Sequence, residues 1–193
     1  MKRLNALLLL MLGAVLLAGC TLVPTANSPT IVTKKIPFGL LGQTIPGTNN
    51  GRVRFVTQAV YIVDATGHLA ATSRIVPSPP TLLSVLRELI LGPTSIETFA
   101  GYTSDLPKNF VIVDAVVKDK IGYIDIATPL SSLSRSRQVL AVGQLVLTAQ
   151  APGVGATTGV QISVAGVLQE TLLPDGRTSE LVTANDFSSL LNH

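Results

Sequence analysis

The chain predicts an α/β (α+β) domain made of two ββα-like units plus a C-terminal hairpin, with its helices packed on one face of a mixed sheet. Three observations lead there. From residue 55 onward, short β-branched runs alternate with turn residues. Two longer segments carry apolar residues at helical spacing. The string Val60-Tyr61-Ile62-Val63-Asp64-Ala65 also has an echo fifty residues on, in Phe110-Val111-Ile112-Val113-Asp114-Ala115. Each string is followed by a returning strand, a Pro- or Ser-containing loop and a helix. Two such units sharing one sheet would bury both helices on the same face.

Residues 55–63 are β-rich, and Asp64-Ala65-Thr66-Gly67 supplies a turn with Gly where a positive φ is needed. Residues 68–76 return as the second strand of a hairpin. After Pro77-Ser78-Pro79-Pro80, Thr81 is placed to cap a helix, with Leu82, Leu86, Leu89 and Ile90 on one face. Gly92-Pro93 ends that helix. A loop through Gly101 and Leu106-Pro107 leads to a strand over 110–114, a polar turn at Lys118-Asp119-Lys120 and a strand over 121–126. Residues 136–150 read as a second helix with Val139, Val142, Leu145 and Val146 as its buried stripe. Gly143 inside it costs about 1 kcal/mol relative to Ala, which implies close packing against a neighbour. Residues 159–165 and 167–173 form the last hairpin, Pro174-Asp175-Gly176 is an exit turn, and the tail is irregular or a short helix.

Composition narrows the function classes. Apolar residues make up 47% of the chain and charged ones 13%, a balance that favours a packed core over disorder. Removing Lys2 and Arg3 with a leader takes the basic count from 14 to 12 against 11 acidic residues, a net +1. Scattered charges at that balance argue against a nucleic-acid partner, which needs a clustered basic face.

The single cysteine finds its explanation in the leader. Lys2-Arg3, an apolar run over 6–18 and small residues before Cys20 follow the pattern of a secretory signal peptide. The run is shorter than the ~20 residues a membrane-spanning helix needs. Leu17-Ala18-Gly19-Cys20 resembles the bacterial lipobox, which implies acylation of Cys20 and cleavage before it. The organisation is thus a lipoprotein signal peptide over 1–19, lipidated Cys20 with a tether over 20–53, a folded domain over 54–182 and a tail over 183–193. Within the tether, Lys34-Lys35 followed by Ile36-Pro37-Phe38-Gly39-Leu40-Leu41 reads as linker, with contact to the domain or to lipid headgroups as the alternative.

Several features in order resemble the GerMN domain, the GerM-type module of sporulation and spore germination. They are Val60-Tyr61-Ile62-Val63-Asp64, Gly67-His68-Leu69, Arg74, Leu91-Gly92-Pro93-Thr94, Leu106-Pro107 and Tyr123-Ile124-Asp125-Ile126. Gln144-Leu145-Val146-Leu147-Thr148, a Val-rich strand to Gly166 and Asp175-Gly176 complete the set, which covers roughly residues 57–180. Gly166-Val167-Leu168-Gln169-Glu170 departs from it by lacking a polar turn. The resemblance implies an extracytoplasmic α/β module, often lipid-anchored, that works in envelope complexes and is not a known enzyme. The module is also related to ring-building motifs of machines that span the space between membranes during sporulation. Relatives occur in bacteria that never sporulate.

The chemical inventory is thin. His193 is the last residue, and His68 follows a hairpin turn, where an exposed turn role outweighs that of a general base. A Ser-His-Asp triad would have to join His68 to Ser163 and Asp64, without a Gly-x-Ser-x-Gly elbow. No His pair or second Cys offers soft metal ligands. Asp64 and Asp114 read as turn residues bonding their own backbone, and Asp125 as a solvent-facing strand position, with a polar site beside Arg74 as the alternative. Gln144, polar within an apolar helical stretch, is expected to bond a loop backbone inside the core. No Gly-rich phosphate loop is present.

The reading is a lipid-anchored extracytoplasmic protein, held at the cell membrane through Cys20, that acts without catalysis or cofactor. It associates with envelope proteins through sheet edges or an exposed sheet face. Binding of cell-wall peptidoglycan or glycan is the alternative, and an envelope hydrolase a weaker one.

Overall fold

Residues 53–192 are described by a computed structural model. The leader, Cys20 and most of the tether lie outside the described residues, as does His193. The elements in order are β1 (Phe55–Val63), β2 (Leu69–Pro77), α1 (Leu82–Ile90), α2 (Ser95–Phe99), β3 (Ile112–Lys118) and β4 (Ile121–Ile126). A 3-10 turn (Leu130–Ser132), α3 (Arg135–Ala149), β5 (Gly159–Val164), β6 (Val167–Leu168), β7 (Thr171–Leu172), β8 (Thr178–Ser179) and a 3-10 helix (Ala184–Leu190) follow.

The architecture is mixed α/β, as expected, and both ββα units are present. β1 and β2 pair antiparallel over nine residues without interruption. Alternation sends Gln58, Val60 and Ile62 of β1 inward. α1 begins with a reciprocal capping box between Thr81 and Ser84, and buries Leu82, Val85, Leu86 and Leu89. Gly92 follows its last turn at φ +74, a conformation that favours glycine.

Hydrogen bonding divides the strands among separate sheets, where one shared sheet was expected. β3, β4, β5 and β6 form a four-stranded sheet in that order, with β4 parallel to β5 and the other pairs antiparallel. The β1–β2 ribbon stands apart from it, for a local reason. On the edge of β1 away from β2, the Tyr61 N–H donates to Thr148 Oγ1 of α3 (3.0 Å), and the Tyr61 carbonyl accepts from Gln144 Nε2 (3.2 Å). Val63 exchanges both backbone bonds with Thr103, at 3.0 and 2.7 Å. Helix side chains and a loop thus take the place of a neighbouring strand.

β3 extends to Lys118, so the turn before β4 is Asp119-Lys120, both at positive φ. That is the two-residue turn whose twist matches an antiparallel hairpin. A bulge at Val113 puts Asp114 inside the strand rather than at a turn. The last hairpin is interrupted: β6 pairs with β5 over two residues, and β7 turns away to pair with β8.

α3 is the centre of the fold. From Ala141 to Ala149 every residue is buried, so the helix is enclosed on all sides. A Cβ on Gly143 would stand 2.6 Å from Leu69 Cδ1 and 3.2 Å from Phe187 Cδ1, which explains a glycine in mid-helix. Phe187, fully buried, comes from the 3-10 helix near the chain's end. Leu191 bridges to Leu69, and Asn192 Nδ2 donates to Asp64 Oδ2 at 2.8 Å.

Phe187→Ala would leave a void against Gly143 and Leu69. We expect it to lower unfolding free energy by about 3–5 kcal/mol in urea titrations, as for other buried aromatic truncations.

Candidate functional site

The polar side chains singled out in the sequence fall into four separate clusters. In the first, Gln144 is fully buried. Its Oε1 accepts from the Asp105 N–H (2.9 Å) and its Nε2 donates to the Tyr61 carbonyl (3.2 Å), so one carboxamide joins β1, α3 and the loop before β3. Ser104 Oγ lies within 3.4 Å of the same group. This is the loop-bonding role expected of it.

In the second cluster Arg74, 8% exposed, points toward α2. Its guanidinium donates twice to Glu97 (2.9 and 2.7 Å), once to the Gly92 carbonyl (3.1 Å), and also to Thr72 and Ser73. The partner of Arg74 is therefore Glu97, not Asp125. Those bonds hold the Glu97 carboxyl far below its ordinary value of 4.5, at about 2, against the opposing effect of burial. Glu97 also closes a capping box with Thr94, its carboxylate accepting the Thr94 N–H at 2.7 Å.

The third cluster is the β1–β2 turn. Asp64 Oδ1 accepts from Thr66 Oγ1 (2.6 Å) and from the N–H groups of Thr66 and His68 (2.8 and 3.0 Å). Those bonds, led by the Thr66 hydroxyl, lower its pKa to about 2. His68 is exposed, with Nδ1 beside Thr66 Oγ1 at 3.0 Å. In the fourth, Asp125 accepts from the Gly166 N–H (2.8 Å) and from Ser163 Oγ (2.7 Å), which pin the β5–β6 turn and lower its pKa. Asp125 is half-buried, where solvent exposure was expected, because that turn closes over it.

Ser163 thus bonds Asp125 and His68 bonds Thr66, so the bonds a Ser163-His68-Asp64 triad requires are not formed. Among the described residues no group of three or more His, Cys, Asp or Glu side chains is placed to hold a metal ion. Each cluster saturates its polar groups internally, in the manner of structural supports.

Two of the concave regions border α3. A cavity of about 60 Å³ lies between the β5 side of the sheet and α3, bordered by Ile126, Leu130, Val142, Ile162 and Thr171. A wider groove of about 560 Å³ runs between α3 and the turn after β7, with Val139, Leu140, Pro174 and Leu190 as its apolar lining and Arg135 as its one charge. Neither contains a paired acid and base.

The solvent face of the four-stranded sheet sets apolar side chains among the charges of Asp114, Lys118 and Asp125. Register places Val116, Tyr123 and Gln161 in one row across β3, β4 and β5, and Asp114, Asp125 and Ser163 in the next. Val116 and Tyr123 are exposed, as is Leu181, which lies over Gly159. A second exposed apolar group, Leu91, Ile96 and Phe99, surrounds α2. Sequence reading missed α2 and with it Glu97. The signal was present in Thr94-Ser95-Ile96-Glu97, a capping-box spacing ahead of a single turn too short to display periodicity.

The family model Germane, described as sporulation and spore germination, matches residues 59–170. The first GerMN domain of the sporulation protein GerM from Bacillus subtilis is similar in fold, with a TM-score of 0.50 at 18% identity; the likeness covers 67% of this chain and 98% of that one. The tandem GerMN domains of the same protein align with a TM-score of 0.51 at 17% identity, over 69% of this chain and 48% of that one. No curated protein sequence matches the chain. Among the described residues no helix is long and apolar enough to cross a membrane.

Gln144→Leu would strand the Tyr61 carbonyl and the Asp105 N–H. We expect a loss of about 3 kcal/mol in chemical denaturation, since an orphaned buried group costs about 1–3 kcal/mol. A second expectation concerns pH. Because the Glu97 carboxyl titrates lower folded than unfolded, its stabilisation is complete above about 4.5 and disappears as pH falls toward 2. The gap in melting temperature between wild type and Glu97→Gln should be widest near neutral pH and close by pH 2.

Proposed function

The chain belongs to the Germane (GerMN) family, and from that premise we propose that it is a lipid-anchored extracytoplasmic protein whose domain acts as a non-catalytic assembly module in cell-envelope complexes. Membership puts it with domains of sporulation and spore germination; the anchor and the assembly role are our reading. The anchor rests on the lipobox-like Leu17-Ala18-Gly19-Cys20. One observation carries the assembly role. The polar clusters are spent on internal bonds, while the solvent face of the four-stranded sheet leaves Val116, Tyr123 and Leu181 exposed on a rigid support. Apolar and aromatic side chains flanked by the charges of Asp114 and Lys118 suit a protein partner, since interfaces set an aromatic-rich core inside a polar rim.

The free edges of β1 and β3 suit a partner less well. α3 and Thr103 occupy the free edge of β1, and Asp114 together with the bulge interrupts that of β3. Bulges and capped edges are how native sheets discourage strand addition. Of the two routes considered for association, the face is therefore the stronger. Wall glycan is the second reading, supported by Tyr123 as a stacking aromatic on that face.

The test is crosslinking in cells with a photoreactive residue at position 116 or 123 of the full-length protein. A small, reproducible set of envelope proteins trapped there supports the proposal. Tyr123→Asp in a chain with the photoreactive group at 116 should cut that yield by about tenfold or more, as for an interface hot spot, with melting temperature unchanged. Co-sedimentation with purified wall and no trapped protein would move the reading to a glycan binder. A specific hydrolase activity of the pure protein would end it.

A further inference from the structure

The surface around α2 is not absorbed by the function proposed above. Leu91 is 75% exposed, Ile96 82% and Phe99 95%, all within nine residues. Such side chains usually sit on loose loops, but here the backbone is fixed. The reciprocal Thr94–Glu97 capping box closes the start of the single turn, and the two Arg74 bonds draw Glu97 against β2. At about 100° per residue, a helix that turns Glu97 inward turns Phe99 to the opposite side and Ile96 to the flank. The structure holds two large apolar side chains in water by means of a buried ion pair.

Size and charge indicate what covers them. The three side chains present on the order of 400 Å² of apolar surface, taking about 200 Å² for the aromatic ring. A stable protein interface buries about 800 Å² per partner, so this apex alone is too small for a second copy. Arg87, four residues before Leu91 and on the same side of α1, is exposed and makes no ion pair among the described residues. Glu88 beside it is half-buried, and Glu97 is neutralised by Arg74. Apolar tips beside an exposed cation are the makeup of an element that settles into an anionic bilayer surface.

We infer that Leu91, Ile96 and Phe99, with Arg87, form a membrane-docking apex that inserts into the headgroup boundary of the bilayer carrying the anchor. The inference rests on the lipid-anchored reading. The 33 residues from Thr21 to Val53 span at most about 115 Å fully extended, so the domain stays within reach of that surface and a weak insertion is enough. Docking gives the domain a fixed side toward the lipid.

The chain contains no Trp, so Phe99→Trp in the full-length, cell-processed protein creates a single indole reporter at an exposed site. The protein is reconstituted with vesicles of phosphatidylethanolamine and phosphatidylglycerol, with and without brominated acyl chains. Docking predicts a blue-shifted emission reduced by about half by brominated lipid, consistent with insertion of about 5–10 Å. It also predicts that Arg87→Gln or replacement of phosphatidylglycerol by neutral lipid weakens the quenching. Emission unchanged by brominated lipid, on a chain whose Cys20 peptide carries acyl groups by mass spectrometry, overturns the apex and leaves the anchor standing. A blue shift that grows with protein concentration without quenching overturns it in favour of a second copy. If Cys20 carries no lipid the anchor reading fails instead; the apex is then decided by whether excess anionic brominated vesicles still quench the indole reporter.

Discussion

The carboxamide of Gln144 is bound on both sides, by the Tyr61 carbonyl and by the Asp105 N–H, at a point with no access to water. A buried amide in an apolar helix is tolerated only when its partners are supplied. Here they come from an open strand edge and from a loop that has no regular structure of its own. Together with Thr148 one turn later, Gln144 makes the surface of α3 serve as the neighbour that β1 lacks. The position of the β1–β2 ribbon, the path of residues 102–106 and the orientation of the central helix follow from these bonds. Hydrophobic burial supplies most of the stabilisation, but it has no direction. The amide supplies the register.

The same economy appears at the other strand edges. Arg74 takes the Ser73 carbonyl while pairing with Glu97, and Asp114 accepts the N–H of Ala115 in the bulged strand β3. Each device consumes a polar side chain that, read in the sequence, was a candidate for chemistry. The thin catalytic inventory and the closed edges of β1 and β3 are therefore one fact. The polar groups of these devices are spent on finishing backbone hydrogen bonding and on one another, while apolar side chains on the sheet face and around α2 remain for the outside.

Much of this was legible in advance, for identifiable reasons. Long strands with alternation, a capped helix ending in Gly-Pro and the echo between the two units set the element order. Gly143 announced a close approach because nothing else justifies glycine in a buried helix, and Gln144 announced an internal bond for the corresponding reason. α2, β8 and the break that divides the expected strand over 167–173 into β6 and β7 escaped, since pieces of two to five residues are too short for any period to show. Glu97 escaped with α2, because its link to Arg74 spans 23 positions and depends on a fold rather than a spacing. Asp125 obeyed the alternation rule and still ended half-buried, because a turn about forty residues away folds over it.

The seat between Gly143 and Leu69 is filled by Phe187, near the end of the described chain, and Leu191 and Asn192 close on the first hairpin soon after. A polypeptide emerging amino end first from a ribosome or an export pore would carry both ββα units long before it delivered this ring. Until then the centre of α3 would face a hole the size of a benzene ring, and Leu69 would have no lid. The contact that completes the core thus joins distant parts of the sequence, a topology that slows folding. Late closure of this kind leaves the centre of α3 unsealed until the last part of the described chain has been delivered.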